Sequence, residues 1–150
     1  MSIVSIETAI NHLRADAGDS VDIQHKLDAA QEIAEQFIGR RIYANYLFVY
    51  AAAKTAMAEM ESLIAEKETV LKSSVDDYLK NIQREQLDSR WYEILMAARG
   101  IATNGAIEVA ILLILGTLYE HREDVVAGVS VTKLPIAAEH RLQPYRIMGL

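Results

Sequence analysis

From residue 106 to about residue 122 the chain is apolar nearly all the way round a helix. Ile107, Val109, Ala110, Ile111, Leu112, Leu113, Ile114, Leu115 and Leu118 follow one another, with Glu108 and Thr117 as interruptions. Such a helix has no face to give to water. It has to be covered on most sides, by other helices of the chain or by a neighbouring subunit. Its unbroken apolar run, residues 109 to 115, is far short of the ~20 residues that span a bilayer. The segment therefore predicts a buried helix in a soluble chain. Asn104-Gly105 supplies a turn and cap in front of it. Gly116 inside it costs helix stability, about 1 kcal/mol relative to alanine, which points to a close helix crossing there.

The rest of the sequence reads as helical too. At 150 residues the chain is long enough for one domain with a real core. It has two prolines and seven glycines, too few for the many turns of a sandwich or barrel. Ser5 caps a short first helix with Ile6, Ala9, Ile10 and Leu13 at helical spacing. After a break around Gly18, Asp19 or Ser20 opens a second helix that runs to about Ile38. Its stripe is Ile23, Leu27, Ala30, Ile33, Ala34 and Phe37, and Gly39 stands where a left-handed cap belongs. Arg40 and Arg41 follow, beyond the negative end of the helix dipole.

The middle of the chain has a different texture. From about residue 45 to residue 71, Tyr46, Tyr50, Ala53, Met57, Met60, Ile64 and Leu71 alternate at four and three, the spacing of a seam against another helix, with Lys67 discordant. Ser74 and Asp77 form an S-x-x-D cap for a following helix that ends at Gly100. Two helices of about 25 residues make an antiparallel hairpin about 40 Å long at 1.5 Å per residue. Beyond the apolar helix, residues 125 to 133 read as an extended loop or marginal strand. Pro135 and Pro144 then bracket a short terminal segment.

Several function classes are disfavoured. A net charge of -6 does not build a basic phosphate-binding surface, and two arginines at 40 and 41 make a poor phosphate track. The absence of cysteine removes disulfides, zinc ribbons and thiol nucleophiles. His12, His25, His121 and His140 lack metal-ligand spacing, and Asp22 with His25 is a lone pair. No phosphate loop or nucleophile elbow occurs. The residues predict no catalytic site, no cofactor and no metal, and the first residues carry no signal-peptide pattern. Tyr43, Tyr46 and Tyr50 read as core or interface, and Met57 and Met60 as hairpin seam.

The two ends resemble the head–tail connector (adaptor) proteins of long-tailed bacteriophages and their prophages. Ala9-Ile10-Asn11-His12-Leu13-Arg14-Ala15-Asp16 is similar to the family's A-x-x-H-L-R-x-D opening. Phe37-Ile38-Gly39-Arg40 is similar to its Y-x-G-R. Leu118-Tyr119-Glu120-His121-Arg122-Glu123 matches L-Y-E-x-R-E. Leu134-Pro135, then Leu142-Gln143-Pro144-Tyr145-Arg146, match its closing L-P and L-x-P-Y-R. The matches fall in order and span roughly half of the chain, and the departure is the hairpin at about residues 45 to 100.

The resemblance implies an all-α structural subunit in the virion neck, assembled in the bacterial cytoplasm. It implies a ring of about a dozen copies beneath a portal protein. That ring extends the DNA conduit, without sequence-specific binding, and presents a platform to the next neck or tail-completion protein. On this reading Leu142, Pro144, Tyr145 and Arg146 dock to the portal from a tail at about residues 134 to 150. Ile107, Ile111, Ile114, Leu115, Leu118, Tyr119 and Arg122 serve core and lateral contacts, and the hairpin projects outward. The bland readings are that Leu142 and Tyr145 close the core, and that Glu120 and Arg122 are solvated or serve the helix end. The alternative function is a free-standing helical bundle that binds a partner helix or small ligand as a bacterial regulatory module.

Overall fold

A computed structural model describes residues 2–120 and 134–147. Among these the chain is an all-α protein with six α-helices and one two-residue strand pair. It divides into two compact units, Met1–Gly39 with Thr103–Leu150, and Arg40–Ala102. The second unit contains the whole expected hairpin, with a few flanking residues on either side.

In the first unit, α1 (Ile6–Leu13) begins where the Ser5 hydroxyl accepts the Thr8 N–H at 3.2 Å. It stops at Arg14, whose φ of 51° is left-handed. α2 (Ser20–Ile38) ends on Gly39 at φ 69°, with the Gly39 N–H donating to the Glu35 carbonyl at 2.9 Å. A side chain at Gly39 would be strained in that backbone region, which is why the cap takes glycine. α5 (Gly105–Glu120) starts on Asn104, whose side-chain oxygen accepts from the N–H groups of Ala106 and Ile107 at 3.0 and 3.1 Å. α6 (Ile136–Leu142) follows Pro135 and passes into a 3-10 turn over Gln143–Tyr145.

The first core is built around α5, which packs on α1, α2 and α6. Ile107, Ala110, Ile111 and Leu115 are fully buried. From α2 they meet the level of Ile23, Leu27, Ala30, Ala34 and Ile38, all sealed from solvent. Each large aliphatic side chain buried here contributes about 1.5–3 kcal/mol. Glu35 is also buried, and it accepts a hydrogen bond from the Gln31 amide at 3.0 Å. Gln31 in turn accepts the Ile3 N–H at 2.7 Å, so the polar pair ties the N-terminal segment to α2. Among the described residues the expected close crossing at Gly116 is not formed. A Cβ there would meet nothing within 4 Å among the described residues, so the glycine lies on an open strip with Val109, which is 41% exposed.

In the second unit α3 (Tyr46–Lys72) and α4 (Asp77–Ala98) form the antiparallel hairpin. Its base is fastened by β1 (Ile42–Tyr43) and β2 (Ile101–Ala102), a parallel pair that no periodicity in the sequence announces. Asn45 caps α3, accepting from the Leu47 and Phe48 N–H groups. The expected Ser74–Asp77 cap is not formed. Asp76 holds the N-cap position of α4 without a side-chain bond.

The seam of the hairpin differs from the expected one. Ala56 and Leu63 are buried, while Tyr46, Tyr50, Met57, Ile64 and Leu71 are exposed. Ala53, Met60, Lys67 and Val70 are half-buried, which completes a four-three line through Ala56 and Leu63. From α4 the hairpin buries Leu87 and Met96. Lys67 was discordant in an apolar seam; here it pairs with Asp88 of α4 at 2.5 Å, and Glu66 pairs with Arg90 at 2.9 Å. These exposed pairs set the register and contribute at most about 1 kcal/mol each.

Candidate interaction surfaces

The C-terminal segment is held down onto its own unit. Leu142 is fully buried, packed with α6 in the α5 core. The Ile147 N–H donates to the Ile38 carbonyl at 3.0 Å. Between these anchors the chain shows its other side chains outward: Pro144 and Arg146 are exposed and Tyr145 is half-buried. The Arg146 guanidinium lies 5.0 Å from the centroid of the Phe37 ring, within cation–π range. Of the four expected docking residues, Leu142 thus anchors the segment. Pro144, Tyr145 and Arg146 form a small outward patch with Phe37 beneath the arginine.

Beside that patch lies a shallow groove of about 410 Å³ between Ala29, Glu32, Ile33, Gln36, Phe37 and Leu134. Phe37 belongs to both features, which makes them one continuous surface. The lining is mainly apolar and open, with Glu32 and Gln36 at its rim. An arginine over an aromatic ring next to an apolar groove is a combination that anchors protein partners, since it joins rigid area to directional donors.

The helix expected to make core and lateral contacts is mostly enclosed. Ile107, Ile111, Ile114 and Leu115 are buried, and Leu118 and Tyr119 are half-buried. The Tyr119 hydroxyl lies 3.4 Å from the Asp19 carboxylate. Glu120 is exposed. Arg122, His121 and the segment 125–133 lie outside the described residues.

The remaining candidates resolve into structural jobs. Arg41 pairs with Glu93 at 2.5 Å, its N–H donates to the Met96 carbonyl, and its own carbonyl accepts from Ile101. It fastens the base of the hairpin. Asp22, considered with His25, is engaged by Lys26 at 2.5 Å. His12, His25 and His140 are exposed. Among the described residues no three metal-capable side chains gather, and no helix is long and apolar enough to cross a membrane. Sequence reasoning missed the outward face of α3, because it assigned those side chains to the seam. The signal that locates the true line is one alanine and one leucine, Ala56 and Leu63, each one residue before Met57 and Ile64.

Compared with known protein families, curated proteins and solved structures, the chain matches none.

Proposed function

We propose that the chain is a structural head–tail connector subunit of a tailed phage or prophage particle, assembling as a ring beneath a portal protein. What carries this reading is the placement of the resembling segments. Ala9 and Leu13 of the first, Gly39 of the second, Leu118 to Glu120 of the third and Leu134 to Arg146 of the last all belong to one compact unit. The hairpin, the part foreign to the resemblance, makes up the other unit, which also takes in Arg40 at the end of the second segment. A ring-forming domain carrying an inserted hairpin would divide in this way.

On this reading the portal contact is made by Pro144, Tyr145 and Arg146, with the groove along α2 beside them, while Leu142 keeps the segment docked on its own core. Lateral contacts use the open strip of α5 around Val109 and Gly116. The ring lumen passes DNA, and the role is mechanical.

The reading is tested by co-expressing the chain with the portal protein of the same genome and capturing it on tagged portal. Full-length chain is expected to be captured as a ring with a central hole in negative-stain images. A chain ending at Leu142 is expected to stay folded and lose capture. Undiminished capture of the truncated chain removes the docking role. No capture of the full chain, with binding of a small compound or regulatory partner instead, favours the free-standing bundle.

A further inference from the structure

We draw no further inference here: the strongest candidate, the outward face of α3 with Tyr50, Met57, Ile64 and Leu71 exposed along it, carries nothing, because nothing in the structure shows what covers it.

Discussion

α5 and α3 are both helices with more apolar surface than one neighbour can cover, yet they end in opposite conditions. α5 is the oilier by far and is almost wholly enclosed, because α1, α2 and α6 surround it within its unit. α3 is less apolar, with charged residues from Lys54 onward, and within its unit it has one long neighbour, α4. One helix neighbour covers one stripe. The second unit accordingly supplies only six of the 21 buried apolar side chains among the described residues but 12 of the 16 exposed large ones. Oiliness shows how many neighbours a helix needs. Whether the chain itself supplies them depends on topology.

Truncating the two faces should expose this contrast most strongly. Ile111→Ala removes side-chain volume from a site with no access to solvent and should cost about 3 kcal/mol in urea denaturation. Ile64→Ala on the open face of α3 should change the stability of the dilute chain by less than about 0.5 kcal/mol. Next in size is Gly100→Ala. A Cβ there would strike the Tyr43 ring and sit 3.1 Å from the Ala97 carbonyl. The hairpin base should lose about 1–3 kcal/mol, read by thermal melting.

Cap removal sharpens the comparison further. Asn104 and Asn45 each satisfy two N–H groups at a helix start, but the Asn104 bonds are partly buried and those of Asn45 exposed. Asn104→Ala should therefore cost about 1–2 kcal/mol and Asn45→Ala about half of that. The smallest effect has the opposite sign. Gly116→Ala adds a methyl group that meets nothing within 4 Å among the described residues and should stabilise the free chain by about 0.5–1 kcal/mol.

Much of the fold was legible because it is written in local chemistry. The apolar run of α5, the Ser5 and Asn104 caps and the left-handed Gly39 each depend on a few adjacent residues. So do the ends of the hairpin. The seam of α3 was not legible, since three neighbouring heptad rows are apolar or small and the largest side chains stand in the wrong one. Ala56 lies in the buried line because a small residue lets α4 approach, and size alone ranks it below Met57. The β1–β2 pair is two residues on each strand, too short for any period to register.

Of the candidate surface, Leu142 to Arg146 stood out as a motif. Its split into a buried anchor and an outward patch depends on α5 and Phe37, far away in sequence. The neighbouring groove on α2 was not legible, because Ile33 and Phe37 read simply as members of the helix stripe.

Amide hydrogen exchange, followed by mass spectrometry, tests the contrast between α5 and α3 most directly. Amides of α5 are expected to be the slowest in the chain, since the helix is enclosed on nearly every side. Those of α3 between Tyr50 and Leu71 are expected to exchange faster, since one helix neighbour covers them. Faster exchange in α5 than in α3 would show that the apolar helix is the less enclosed of the two, and would contradict the account.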